Sequence, residues 1–249
     1  MSAQPGSVAK VCLLAGKIML ESGAETYRVE DTMNRIAASL GLENAESYAT
    51  PTGIQFSTEG EASYFRRISN RSNDLQKIAD VNSISRQITA QSLDAKEALL
   101  LLKGIQHNSE TFPFWLQLIA SALASGSFAI MFGGSWADFA PSCIAGAGGY
   151  AAMIGFDKLL EIRFIAEFVA SFLIAVIAVI SINAEFGQHM DKIIIGAVMP
   201  LVPGLHITNA VRDLMAGHLI AGISKGVEAT LTAIAIGAGV AVLFAFLPH

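Results

Sequence analysis

Apolar positions change their period along the chain. Over residues 8–40, Val8, Val11, Cys12, Leu14, Ala15, Ile18, Met19, Val29, Met33, Ile36 and Leu40 recur on one helical face, with Lys17, Glu21, Arg28 and Asp31 between them. The spacing predicts one long amphipathic helix capped by Gly41. Gly23, which weakens a helix by about 1 kcal/mol relative to alanine, is the place for a kink or a close contact. Residues 46–57 have strand-like content, Thr58-Glu59-Gly60-Glu61 reads as a turn, and residues 63–68 return as a second strand. Pro51 confines the first strand of that hairpin to an edge or a bulge. Ser72 then opens a helix to about Gln91, with Leu75, Ile78, Ala79, Val81, Ile84 and Ile88 inward. Ser92 caps another from Leu93 to about Gln106. A small α+β domain over residues 1–110 is expected, with a two-stranded sheet. It joins through Asn108-Ser109-Glu110-Thr111 to Pro113, a residue suited to the first turn of a helix.

From Phe114 onward the amphipathic period gives way to apolar runs of about 20 residues, the length a helix needs to cross a hydrocarbon core of about 30 Å. The expected spans are Phe114–Phe132, Phe139–Phe156, Phe164–Ile182, a fourth from near Ile193 and a fifth over Ile220–Leu247. The fourth is interrupted by Pro200 and Pro203-Gly204 and followed by a short amphipathic helix, His206–Gly217. Lys225 and Glu228 blur the start of the fifth and are placed at the interface. The fold class is thus a mainly α membrane protein: a polytopic bundle of about five transmembrane helices over residues 111–249, preceded by the small cytosolic α+β domain. Ser121, Ser125 and Ser127, with Gly146, Gly148, Gly149 and Gly155, allow close helix approach in lipid. The run Gly146-Ala147-Gly148-Gly149 follows no strand and lacks the spacing of a dinucleotide fingerprint.

Charge follows the same division. Of 37 charged residues, 24 lie in residues 1–110, so two different solvents face the two parts. The net charge of −5 is spread thinly and no basic block exists, which excludes nucleic acid as a partner. Cys12 and Cys143 fall in different halves and read as packing residues. The apolar stretch at the N-terminus is short, is broken by Lys17 and lacks a cleavage site. It reads as mature helix, and the N-terminal domain is expected in the cytoplasm. Lys158, Arg163, Arg212 and Lys225 fall on one side of the bundle against Lys192 on the other. The positive-inside rule then puts the N-terminus in the cytoplasm and Pro248-His249 outside a cell (inner) membrane.

The segment from Met199 to Asp213 carries the most chemistry. Two prolines inside a span leave carbonyls without helical donors, tolerated only beside protein or a water-filled cavity. Broken helices of this kind form substrate sites in transporters. Pro200, Pro203 and Gly204 are therefore expected to line a substrate cavity, with Thr208, Asn209 and Arg212 in contact with substrate. A plain proline kink followed by an interfacial anchor is the alternative. Asp213 and Glu167 are the candidates for proton coupling, since an ionisable group within a span costs about 2.5–3.5 kcal/mol. Snorkelling to the surface competes for Glu167 and for Glu228, and Asp157, Glu161 and Arg163 are placed in a solvated inner joint. The stretch Glu21–Arg28 is polar enough for a site, against an intrahelical pairing on a solvated face. The five histidines show no metal-ligand spacing, and neither GxSxG nor a Walker loop is present. No catalytic residue, no metal and no cofactor is expected, and the chain does not read as an enzyme.

Four segments carry a family resemblance: LLAGKIMLESGAETYRVEDTM, Pro51–Ile54, Ser92–Leu99 and PLVPGLHITNAVRDLMAGHLIAGISKGVEA. They resemble the threonine/serine exporter family, and within it the YjjP-type subunits. The resemblance implies secondary export of a small metabolite, a threonine- or serine-like amino acid or a dicarboxylate such as succinate, driven by the proton-motive force. Fused members are longer, so a chain ending at His249 looks like one half of a split exporter. It would need a second small membrane subunit, a homo-oligomer, or both, within the lipid bilayer. The resemblance supplies no site residues; those above rest on the broken span. A regulatory or assembly subunit and a membrane-anchored enzyme are the rival readings.

Overall fold

The computed structural model describes residues 5–60, 62–108, 111–160 and 163–246. Expectations involving Glu61, Ser109, Glu110, Glu161 and the terminal Pro248-His249 lie outside the described residues. The elements are α1 (Pro5–Glu21), α2 (Thr26–Ser39), β1 (Ala45–Thr50), β2 (Gly53–Thr58), β3 (Tyr64–Arg67), α3 (Leu75–Thr89) and α4 (Ala95–His107). They are followed by α5 (Phe114–Met131), α6 (Trp136–Leu160), α7 (Arg163–Asn183), α8 (Met190–Val198), α9 (Gly204–Met215) and α10 (Leu219–Phe246). By contact the chain forms two units: Met1–Glu110 with Leu205–Gly226, and Thr111–Gly204 with Val227–His249. Residues 205–226 thus belong to the same unit as the N-terminal segment.

In the first unit the helix expected over residues 8–40 is two helices. Gly23 adopts φ +87°, a left-handed conformation that glycine reaches without strain. Gly23 N–H donates to Leu20 O and Ala24 N–H to Met19 O, the paired bonds that end a helix. The loop before α3 fixes the break from one side: Ser72 N–H donates to Glu21 O and Asp74 N–H to Ser22 O. The apolar period misses this break because Val29, Met33 and Ile36 of α2 enter the same core as Val8, Val11, Cys12 and Met19 of α1. Burial pushes the Cys12 thiol up to about 12, as suits a packing residue.

The expected first strand is also divided. Thr50 pairs with Gly53, so Pro51 and Thr52 form a tight turn and the sheet has three antiparallel strands in the order β1-β2-β3. Proline's fixed φ and missing N–H suit that turn and would have broken a ladder. Ile54 and Phe56 bury one face of the sheet against the helices. The caps of α3 and α4 are Asp74 and Asp94, each two residues after the expected Ser72 and Ser92. Asp94 forms a reciprocal capping box with Glu97.

Phe114–Met131, Trp136–Leu159, Phe164–Asn183 and Leu219–Phe246 are long and apolar enough to cross a membrane. A fifth span results if Met190–Leu201 and Gly204–Met215 count as one broken helix. The chain is a mainly α polytopic membrane protein. Backbones approach closely at glycines: a Cβ on Gly146 would strike Ser125, one on Gly149 would strike Ile174, and one on Gly196 would lie 2.6 Å from Ser125 O. Around these crossings Ala145, Ala170, Ile174, Ala178, Ile193 and Ala197 form an apolar core. Asp138, in the first turn of α6, is fully buried and ties down the α7–α8 connection. It accepts from Gln188 N–H (2.7 Å), His189 N–H (2.9 Å) and both the N–H and hydroxyl of Ser135 (2.8 Å each). His189 Nδ1 lies 2.9 Å from its second oxygen. After α8 the backbone tightens to a 3-10 turn, Met199–Leu201, which contains Pro200.

Gly23→Ala is expected to lower the thermal unfolding midpoint of the full-length protein in detergent by several degrees. It imposes a positive φ on a side chain, about 1–3 kcal/mol, and places a Cβ 2.9 Å from Asn73 Oδ1 and 3.0 Å from Ser72 O. Gly41→Ala, at φ +92° with nothing within 4 Å, should cost less. Equal losses in the two variants would mean that the crowding at Gly23 contributes nothing.

Candidate functional site

Within the first unit, α9 and the first two turns of α10 meet the break between α1 and α2, side chain by side chain. Asn209 Nδ2 donates to Gly23 O at 2.8 Å. Arg212 Nη1 donates to Glu25 Oε1 at 2.6 Å. Asp213 accepts from Thr26 N–H at 2.8 Å through Oδ1, and from the Thr26 hydroxyl at 3.0 Å through Oδ2. Lys225 Nζ completes the group, donating to Asp213 Oδ2 (2.7 Å), Ala24 O (3.2 Å) and Thr26 Oγ1 (3.2 Å). Asp213 has no exposed side-chain surface and Lys225 only 7%.

Local structure explains this convergence. Residues 209, 212 and 213 stand at i, i+3 and i+4, so they share one face of α9. Gly217, at φ +87°, ends α9, with Gly217 N–H bonded to Leu214 O and His218 N–H to Asp213 O. The chain turns there, and Lys225, two turns into α10, comes level with Asp213. Thr26 N–H is one of the donors that a helix N-terminus leaves unsatisfied. A carboxylate placed there also meets the positive end of the α2 dipole. Two charges buried this deeply are tolerable only because each is paired and hydrogen-bonded.

A second layer surrounds the pair. Arg28 Nη1 lies 3.6 Å from Glu25 Oε2. Glu30 Oε1 accepts from Ala49 N–H at 2.7 Å and lies 3.6 Å from His218 Nδ1. Burial would raise Glu25, but its own backbone hydrogen bond, the Arg212 guanidinium and the Arg28 charge outweigh it and hold the carboxyl below its usual range. At Glu30 burial prevails over the Ala49 N–H and His218, with the nearby Asp213 charge adding to it, so that carboxyl lies above its usual range.

The expected residues fall into two groups. Asn209, Arg212 and Asp213 come together, and they meet the polar stretch 21–28 that was a separate candidate in the sequence. Thr208 is exposed on α9. Pro200, Pro203, Gly204 and Glu167 belong to the second unit, where Glu167 is buried in α7. Glu21 and Glu25 do not share a solvated helix face, because Glu25 lies in the break and is buried. Lys225, expected at the interface, has its ammonium enclosed by protein. Glu30 and His218 went unrecognised, as did Asp138 in the other unit. The available signal was Lys225 itself, a cation near the start of an apolar helix that requires a counter-charge, with Asp213 twelve residues before it.

The family model described as "Putative threonine/serine exporter" matches residues 10–247. The chain belongs to the threonine/serine exporter family. It is 24% identical to the "Probable succinate transporter subunit YjjP" of Escherichia coli (strain K12), over 95% of this chain and 93% of that protein. A Klebsiella aerogenes protein of the same description is also 24% identical, over 94% of this chain and 92% of the relative. The "Threonine/serine exporter" of Corynebacterium glutamicum is 21% identical over 95% of this chain, which corresponds to 50% of that protein. No solved structure matches the chain.

Removing one member of the buried pair should cost more than removing both. Asp213→Ala leaves the Lys225 ammonium without its anion and is expected to destabilise by about 3–5 kcal/mol. Asp213→Ala with Lys225→Met should lose less than the sum of the single changes, measured by denaturant unfolding of the full chain.

Acid should act on the two glutamates in opposite senses. Glu25, with a lowered folded value, contributes stability that is full above its ordinary value of about 4.3 and is lost as pH falls through the folded one. Glu30, with a raised folded value, contributes stability below about 4.3 that is lost as pH rises through its folded value. Glu25→Gln should therefore flatten the acid-side fall of the unfolding midpoint, and Glu30→Gln should steepen it.

Proposed function

We propose that this chain is a subunit of a secondary exporter that carries a small zwitterionic amino acid of the threonine or serine type out of the cell. The observation behind the reading is the Arg212–Glu25 pair: the Arg212 side chain is 54% exposed, and the pair adjoins the buried Asp213–Lys225 pair. The Arg212 guanidinium offers a partner to the carboxylate of a zwitterion, and the carboxylates beside it offer partners to an ammonium. The descriptions of the Escherichia coli and Klebsiella aerogenes relatives favour a dicarboxylate. Here, however, Glu25, Glu30 and Asp213 stand beside Arg28, Arg212 and Lys225, and a dianion would meet three carboxylates.

In this reading the N-terminus is cytoplasmic and the C-terminus lies outside the cell membrane. The break at Pro200, Pro203 and Gly204 lines the path, and Thr208, Asn209 and Arg212 contact the substrate. Asp213 or Glu167 carries the proton that couples export to the proton-motive force. A second small membrane subunit completes the exporter, as the word "subunit" in the relatives' descriptions suggests.

The test is export from cells without exporters of their own, with this chain alone and beside candidate small membrane proteins, measuring threonine, serine and succinate outside. Arg212→Gln and Glu25→Gln should each reduce threonine export about tenfold or more, the effect of one charged hydrogen bond. Full export by both Asp213→Asn and Glu167→Gln at normal expression would remove the proton assignment. Succinate export without threonine would replace the substrate. Indifference to alanine at both Thr208 and Asn209 would mark a scaffold subunit.

A further inference from the structure

The ammonium of Lys225 is held as a ligand would be. It has three N–H donors, and exactly one acceptor of a different kind answers each: the Asp213 carboxylate, the Ala24 carbonyl and the Thr26 hydroxyl. A packing lysine normally keeps its charged end in water and buries only the stem; here the charged end is the enclosed part. The acceptors come from three sources, a side chain of α9, a backbone carbonyl freed by the helix break, and the first residue of α2. Ala24 O lies in the break, and Thr26 already donates its N–H and hydroxyl to Asp213.

The neighbouring residues supply the complementary half. Arg212 precedes Asp213 in α9, and Glu25 precedes Thr26, so the guanidinium pair and the ammonium cradle lie one residue apart on both segments. An α-amino acid carries its carboxylate and its ammonium on one carbon, so its site needs a cationic and an anionic partner from neighbouring residues.

We propose that Asp213, Ala24 O and Thr26 form a primary-ammonium site, occupied in this conformation by Lys225 as an internal competitor and in another by the α-ammonium of the transported amino acid, whose carboxylate engages Arg212. This rests on the amino-acid reading above and adds the position of the ammonium. Lys225 in this role keeps the buried carboxylate neutralised while no substrate is bound, because an unpaired charge there would be strongly unfavourable. Substrate entry exchanges one ammonium for another, with no net change of charge in the cradle.

The test uses the full chain in detergent or nanodiscs. Lys225→Ala vacates the cradle and should melt below the wild type. Methylammonium should raise its midpoint by about 5–10 °C at a hundredfold excess over Kd, and threonine should do the same. 3-Hydroxybutanoate, which is threonine without its amine, should raise it less, since only its carboxylate finds a partner. The wild type, with the cradle filled, should not respond to methylammonium, nor should Lys225→Ala combined with Asp213→Asn.

No methylammonium response in Lys225→Ala, or an equal one in the wild type or the double variant, overturns the site. A response to methylammonium without one to threonine overturns the substrate's use of it. Should Lys225→Ala fail to fold, Thr26→Val decides: it should raise the KM for threonine export several-fold, Thr26→Ser should restore it, and inhibition by 3-hydroxybutanoate should be unchanged. Equal changes for threonine and 3-hydroxybutanoate would assign Thr26 a structural role and overturn the proposal. Failure of the amino-acid reading shows separately, as a wild type that exports only succinate, while the methylammonium result still decides whether the cradle exists.

Discussion

A helix that stops at Glu21 and restarts at Thr26 leaves polar backbone groups on both sides of the gap, and in a buried position each must find a partner. The first unit meets this requirement with side chains from residues about 190 positions later in the chain. Asn209 takes a carbonyl of the gap, Asp213 takes the first N–H of α2, and Lys225 takes a second carbonyl. Because Asp213 is charged and enclosed, Lys225 must be present too, and because both are fixed, the α9–α10 turn at Gly217 must place them side by side. The assignment of residues 205–226 to the N-terminal unit follows from this one requirement.

The ion pairs in that region differ in how firmly they are held. Asp213 and Lys225 are saturated with hydrogen bonds and enclosed, whereas Arg212 reaches Glu25 from a half-exposed position. A surface pair of the second kind contributes little to stability and can exchange partners at little cost. A buried pair of the first kind gives specificity more than stability: it penalises any arrangement that separates its members. The exposed pair can thus change partners alone, whereas the buried ammonium can leave Asp213 only when another cation takes its place.

Much of this could be read from the chain itself, because lipid and water impose different patterns. The apolar runs after Phe114, the amphipathic faces before it and the proline-broken fourth span correspond to helices of the structure. The break at Gly23 was less legible, since α1 and α2 contribute to one core and the apolar period runs through the gap unaltered. Pro51 pointed to an interruption but not to the extra strand, which depends on pairing between Thr50 and Gly53. At the site, the two polar stretches were each visible, but their union was not. Nothing in local spacing says that Glu25 meets Arg212, since that contact is made by tertiary packing. Lys225 and Asp138 were missed for the same reason: each looks like an ordinary charge at a helix end until its partners are known.

The glycine crossings of the second unit bear on where a solute can travel. Gly146 lies against Ser125, Gly149 against Ile174 and Gly239 against Ser171 and the carbonyl of Phe168. At each of these points the neighbouring helix, by side chain or by backbone, leaves no room even for a methyl group. A solute wider than that has no passage through these seams while the helices keep this packing, so the crossings serve as wall and not as lumen.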